Sequence, residues 1–212
     1  MVDLFWNSSW ERVDFERIRQ YMDGFDMKAD PLIEYIIAQG VRTVCDAGCG
    51  CGIYAAKLAA NGFEVSGFDV AERAVDIAGE LLRTASLKAN LKVADIQATG
   101  YEDGRFDCAI ARDVIDHMRK RDAVRAVREL CRIVRPGGIV LLTLDHSDEE
   151  YESENHIVSD DGDYIFTDGK WQGMVFHPYD EQEISQILPA SVKWRIEDGE
   201  DGIIIRLITQ AE

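Results

Sequence analysis

Val41-Arg42-Thr43-Val44-Cys45-Asp46-Ala47-Gly48-Cys49-Gly50-Cys51-Gly52, followed by Ile53-Tyr54-Ala55-Ala56-Lys57-Leu58-Ala59-Ala60, decides the fold. The stretch 41–46 is short and mostly apolar and reads as a strand. The stretch 53–60 reads as a helix, closed by Asn61-Gly62. Between them stand three alternate glycines. Glycine tolerates positive φ and lets a backbone approach a partner with no Cβ in the way. The helix behind the loop presents free N–H groups and a partial positive charge. Strand, glycine loop and helix in this order form the first half of a β-α-β unit.

Outward from that unit the alternation continues. Strands are expected over 64–69, 91–95, 106–111 and 139–144, and helices over 72–85 and 122–134, the latter stopped by Pro136-Gly137-Gly138. Ile139 to Leu144 is almost wholly apolar, as befits a strand covered on both faces of a parallel sheet. The expected fold is a doubly wound, Rossmann-like α/β sheet of about seven strands with right-handed crossovers. The C-terminal end departs from the alternation. Strands over 192–197 and 203–209 are joined by Asp198-Gly199-Glu200-Asp201-Gly202, too short for a crossover helix, so they pair as an antiparallel hairpin. Upstream, residues 1–40 read as a helical cap. Ser9 is expected to cap a helix running to Tyr21, and Asp30-Pro31 to start a second one ending at Gly40. Residues 146–179 form an insert in which Asp168-Gly169, between two aromatic runs, predicts a small β-hairpin. The whole chain, 1–212, is expected to be one domain.

Composition narrows the partners. A formal net charge of −17 disfavours phosphate-backbone binding and anionic membranes. Arg119-Lys120-Arg121 is the one short basic stretch and reads as a solvated helix start. Met1 to Trp10 lacks a basic region followed by a long apolar run, so no leader is expected. Five cysteines at irregular spacing fit a reducing, cytoplasmic setting. Neither nucleic acid nor membrane is expected as a partner, and oligomeric state is not legible.

The second strand ends in Gly67-Phe68-Asp69, which puts a carboxylate beside the crevice where it can accept hydrogen bonds from ribose hydroxyls. Loop and acid together point to a ligand carrying adenosine. Here the sequence resembles the class I S-adenosylmethionine-dependent methyltransferases, over roughly 29–144. Asp46-Ala47-Gly48-Cys49-Gly50-Cys51-Gly52 resembles that family's first motif. The resemblance implies that Asp46, Gly48, Cys49, Gly50 and Gly52 face the methionyl part of the cofactor and that Asp69, with Val70, holds the ribose. It implies that Asp95 and Ile96 flank the adenine, and that Arg112, ending Phe106-Asp107-Cys108-Ala109-Ile110-Ala111-Arg112, lies under the sulfur. The expected cofactor is S-adenosyl-L-methionine and the expected activity is methyl transfer to a small-molecule acceptor by direct displacement.

These residues admit other readings. In a nicotinamide-type loop counted from Gly48, the third glycine would fall at 53, which is Ile53. Cys45, Cys49 and Cys51 lack zinc-ligand spacing, so no metal is expected. A cofactor-binding regulator without an acceptor pocket remains the alternative. His117 and His146 are the candidate general bases, set against a cleft-wall role for His117. Trp6, Tyr21, His146, Trp171, His177 and Tyr179 are the candidates for the acceptor side or its lid.

Overall fold

In a computed structural model the chain is described over residues 2–24, 26–27, 30–145, 149–199 and 202–210. Three helices come first: α1 (Val2–Glu11), α2 (Phe15–Asp23) and α3 (Pro31–Ala38). The α/β alternation then runs β1 (Thr43–Ala47), α4 (Ile53–Ala60), β2 (Glu64–Asp69), α5 (Glu72–Thr84), β3 (Asn90–Val93), β4 (Phe106–Arg112), α6 (Lys120–Ile133) and β5 (Val134–Leu144). After it come α7 (Glu149–Ser153), β6 (His156–Val158), β7 (Tyr164–Phe166), a 3-10 turn (Gly169–Trp171) and β8 (Val175–Phe176). The chain closes with α8 (Glu181–Ile187), β9 (Lys193–Gly199) and β10 (Gly202–Ile208).

The main sheet has seven strands in the order β3-β2-β1-β4-β5-β10-β9. The first five are parallel, while β10 runs antiparallel between β5 and β9. The strand order reverses between β1 and β4, which opens a crevice at their carboxyl ends. Both faces of the central strands are buried with period two. Cys45, Ala109, Ala111, Val140 and Leu142 pack with α6, and Val44, Cys108, Ile110, Ile139 and Leu141 pack with α3 and α4. The smallest of these, Ala109 and Ala111, face Ala123 and Ala126 of α6, so helix and sheet approach closely.

The chain departs from expectation in three places. Ser9 lies inside α1 rather than at a cap, and Asp14 caps a separate α2 by accepting the N–H of Glu16 at 3.0 Å. Both residues are acceptable N-caps, and α1 continues past Ser9 because it packs along α5. The expected hairpin of the insert is β7 with β8, paired antiparallel, but β6 adds a third strand and Asp168-Gly169 leads into a 3-10 turn within the connection. Gly137 and Gly138 do not end a loop after α6; the backbone passes straight into β5, whose pairing with β4 shifts register between Phe106 and Cys108. A Cβ at Gly138 would sit 2.7 Å from the carbonyl oxygen of Asp107 and 2.8 Å from that of Arg135, so the shift needs glycine there.

Asp107 fastens the bottom of this sheet. Its Oδ2 accepts the N–H groups of Arg42 (2.9 Å) and Thr43 (3.0 Å), and its Oδ1 accepts Arg135 Nε at 2.6 Å. Burial alone would raise its pKa; Arg135 and the two backbone donors outweigh burial and hold the carboxyl well below the usual range. A depressed carboxyl adds stability above its unfolded pKa, about 3.9, and loses it as pH falls through the lower folded value. Asp107→Asn should cost about 1–3 kcal/mol at neutral pH in urea unfolding. The gap to wild type should close in acid, below the ordinary carboxylate range.

Candidate active site

The β1–α4 loop lies at the point where the strand order reverses and forms one wall of a cavity of about 590 Å³. Three glycines carry the loop, all at positive φ: Gly48 (73°), Gly50 (50°) and Gly52 (81°). The N–H groups of Gly48 and Cys49 both donate to the carbonyl of Phe68, at 2.8 and 2.9 Å. Asp69 completes the tie: its Oδ2 accepts Gly50 N–H and its Oδ1 accepts Ala71 N–H, each at 2.9 Å. Burial raises the pKa of Asp69, and the backbone donors oppose that rise in part.

Polar atoms inside the cavity are left over. Asp46, at the end of β1, is buried, and its Oδ2 has no hydrogen-bond partner. Burial pushes its carboxyl up to about 7, against the pull of Arg112. Arg112 ends β4 with its guanidinium 4.6 Å above the Tyr54 ring, and its buried Nε also lacks a partner. The side chains that carry an orphaned acceptor and an orphaned donor thus line one cavity. A buried polar atom without a partner costs about 1–3 kcal/mol, which a ligand of matching polarity would recover. An ammonium for Asp46 and a carboxylate for Arg112 are that match.

Val70, Asp95 and Ile96 line the same cavity, as do Trp6 and Trp10 of α1. Trp10 lies over the glycine loop so closely that a Cβ at Gly50 would meet its ring at 3.0 Å. His117 follows β4 at the far side of the cavity and packs edge-on to Trp6, with ring centroids 5.4 Å apart. Its Nε2 is 3.6 Å from Asp145 Oδ2, which also accepts the Tyr151 hydroxyl at 3.0 Å. Asp116, fully buried, accepts Asp145 N–H at 2.7 Å through Oδ2 and leaves Oδ1 without a partner. Burial pushes Asp116 up to about 6. For His117 burial works downward, but Asp116, Asp145 and Asp113 outweigh it and the imidazole's pKa is raised.

The acceptor-side candidates divide. Trp6 lines this cavity and a second one, which Trp171 also lines. Tyr21, expected at the acceptor side, is 58% exposed on α2 and lines neither. His177 and Tyr179, expected as a lid, are buried away from both cavities. His177 Nδ1 pairs with Asp163 Oδ1 at 3.1 Å and its backbone N–H donates to Asp116 O at 2.7 Å, which fixes the insert to the base of α6. His146 lies outside the described residues. Of Arg119-Lys120-Arg121, Lys120 pairs with Glu183 at 2.8 Å, while Arg119 and Arg121 line the cavity. Sequence reasoning missed Asp113, Asp116 and Asp145. Asp145 directly follows β5, at the carboxyl edge where ligands bind in such sheets, and that position is the signal that could have found it.

Residues 44–138 match the family described as a methyltransferase domain. Among curated proteins, the chain is 33% identical over 102 residues to the ubiquinone biosynthesis O-methyltransferase of Methylocella silvestris, covering 48% of this chain and 39% of that protein. It is 32% identical over 116 residues to the protein of the same name from Alkalilimnicola ehrlichii, covering 52% and 44%. The chain thus spans less than half the length of these relatives. Among solved structures, a SAM-dependent methyltransferase from Methanosarcina mazei superposes with a TM-score of 0.73 at 22% identity, over 87% of this chain and all of that one. Magnesium protoporphyrin IX methyltransferase from Synechocystis, with bound SAH, superposes at 0.62 and 18% identity, over 91% and 83%.

Sheet order and crevice are those of the fold that these solved S-adenosylmethionine-dependent methyltransferases share. More narrowly, residues 44–138, somewhat less than half of the chain, are similar to the methyltransferase-domain family.

Gly52 is where the loop's geometry can be tested without a ligand. At φ +81°, an alanine pays about 1–2 kcal/mol of left-handed strain. Its Cβ would also lie 2.6 Å from the Cβ and 2.9 Å from the Cα of Ala78 in α5. Gly52→Ala should lower unfolding free energy by about 2 kcal/mol or more. Adding Ala78→Gly removes the Cβ contact but neither the Cα approach nor the strain, so the double variant should lose less than the sum of the single ones by about 0.5–1 kcal/mol.

Proposed function

We propose that this chain is an enzyme that transfers a methyl group from S-adenosylmethionine to a hydroxyl of a small molecule. The observation that carries it is the cavity where Asp46 Oδ2 and Arg112 Nε stand unpartnered beside a glycine loop tied to Asp69. The residues fit the cofactor: Asp46 and Arg112 offer complementary partners to its amino acid end, Asp69 to ribose hydroxyls, and Asp95 with Ile96 a flank for adenine. The glycine backbone supplies the close approach that any side chain would block. When bound, the cofactor supplies a methyl group already activated on a sulfonium.

The protein is left with alignment, water exclusion and the acceptor's proton. Trp6 and Trp10 wall the crevice from α1 and shield it from solvent. Holding two reactants in line can remove about 7 kcal/mol or more of a bimolecular barrier. His117 takes the hydroxyl proton, and Asp116 and Asp145 stabilise the imidazolium that results. The hydroxyl rests on two observations: the acid-flanked histidine in the cavity, and the name O-methyltransferase carried by the relatives at 32–33% identity. No helix among the described residues is long and apolar enough to cross a membrane. Five free thiols support a cytoplasmic setting.

Calorimetry with S-adenosylhomocysteine tests the cofactor. Binding at tens of micromolar or tighter is expected, and Asp69→Ala should weaken it by about 1–3 kcal/mol. Absence of binding in the wild-type protein would sink the proposal. The base is tested by pH. His117 must be neutral to accept a proton, so kcat/KM should rise as pH passes a value above the ordinary histidine pKa of about 6.5. His117→Gln should lower kcat about 10²–10⁴-fold, abolish that inflection and leave S-adenosylhomocysteine affinity unchanged.

A further inference from the structure

One side of the seven-stranded sheet ends in β9, and among the described residues no strand pairs with its outer edge. This is the longer of the sheet's two edges, seven residues against four in β3. An edge strand presents a row of outward N–H and C=O groups that another strand can take up. Lys193, Trp194, Arg195 and Asp198 are exposed along it. Charges on an edge ordinarily block pairing. Here they are of both signs and sorted by position: Lys193 and Arg195 precede Ile196, and Glu197 and Asp198 follow it.

The register with β10 assigns the faces. Arg195 stands opposite Arg206, and both guanidiniums lie over the Tyr35 ring of α3, at 5.7 and 4.1 Å. Lys193, Arg195 and Glu197 therefore share the α3 face, and Trp194, Ile196 and Asp198 the opposite one. Within one copy Glu197 is shared by Arg195 at 3.1 Å and Arg206 at 2.7 Å, so Arg195 keeps donors for a second carboxylate. Two antiparallel copies of β9 related by a two-fold axis must oppose residues of one face, so the axis passes through a residue. Through Arg195, Glu197 or Asp198, it sets that charge against its own copy. Through Trp194, it sets Lys193 against Arg195. Through Ile196, it sets Arg195 against Glu197 of the second copy, twice over, with Lys193 diagonal to the same carboxylate. Unlike charges directly opposed across a strand pair stabilise it, and like charges destabilise it. In that register Trp194 also reaches diagonally to Ile196 of the second copy.

We propose that β9 is a homodimer interface, paired antiparallel with β9 of a second copy around an axis at Ile196, so that the two sheets continue as one. β5 and β10 separate β9 from the crevice between β1 and β4, and the inference does not rest on the methyl-transfer reading. Seven residues a side is fewer than the roughly 20–30 of a standard interface, so the association is weak, with a Kd of about 10–100 µM.

Sedimentation velocity on the full chain, from about 5 to 500 µM, should show a concentration-dependent shift from monomer to dimer that diminishes as salt rises. Arg195→Glu opposes carboxylates at both symmetric positions and should weaken association about tenfold or more. Inside the protomer it puts a carboxylate opposite Arg206, so the strand keeps its internal ion pairing. Adding Glu197→Arg restores unlike charges across the axis and should bring association back to within about threefold of wild type. Ile196→Cys places one thiol of each copy at the axis, where opposed Cα atoms lie about 4.5–5.5 Å apart, within disulfide range. Mild oxidation should then give a covalent dimer whose linked peptides, by mass spectrometry, join position 196 to position 196. The proposal is overturned if the wild type stays monomeric throughout, if Arg195→Glu associates as the wild type does, if the double variant stays as weak as the single one, or if no link forms between the two 196 positions. Should a charge variant fail to fold, the wild-type sedimentation and the cross-link still decide.

Discussion

One carboxylate sets the geometry of the site. Asp69 ends β2, yet its two oxygens receive backbone N–H groups from both sides of the crevice, Gly50 in the glycine loop and Ala71 at the start of α5. Burial disfavours its charge, and the two donors are what keep a buried carboxylate tenable. The loop cannot move without undoing one of them. Phe68, the neighbour of Asp69, holds the loop a second time by accepting Gly48 and Cys49 N–H on one carbonyl. The end of β2 is therefore a template on which the β1–α4 loop is cast. The glycines are the residues that permit the casting.

A template of this kind must itself be rigid, and the sheet provides that. The central strands are apolar on both faces, and the α6 face carries the two smallest residues, Ala109 and Ala111. Neither face tolerates a register slip, because a shift of one residue would exchange Val44 with Cys45 and Ile110 with Ala111. At the opposite edge of the sheet, Asp107 ties the start of β1 to β4 and β5 through Arg42, Thr43 and Arg135. The crevice at the carboxyl edge and the clamp at the amino edge thus depend on the same three strands.

Legibility in the sequence followed the range of the interactions. The bounds of α4 and β2 were readable to the residue, because Gly52, Asn61-Gly62 and the apolar run between them act locally. The antiparallel end was readable because a five-residue joint excludes a crossover. The cap was not, since Ser9 and Asp14 are both acceptable N-caps and only the packing of α1 on α5 separates the two helices. The third strand of the insert was missed because β6 is three residues long, below the length at which period two can be seen. Of the site, the glycine loop and the carboxylates near it were legible as motif. The Asp116–His117–Asp145 cluster was not, because Asp145 lies 28 residues or more from its partners and meets them only through β5.

That cluster also ties the insert to the candidate site, since Tyr151 donates its hydroxyl to Asp145. Asp116 bonds the backbone N–H of Asp145 through its side chain and that of His177 through its carbonyl. The first contact places the acid beside His117, and the second anchors the end of β8. His177 is held in turn by Asp163, which accepts Lys120 N–H at the start of α6. The insert is consequently bonded to the segment that carries the histidine, while the glycine loop is bonded to the end of β2 through Phe68 and Asp69. The two halves of the site rest on separate supports. A change in the insert can therefore alter the setting of His117 while leaving the Asp69 template intact.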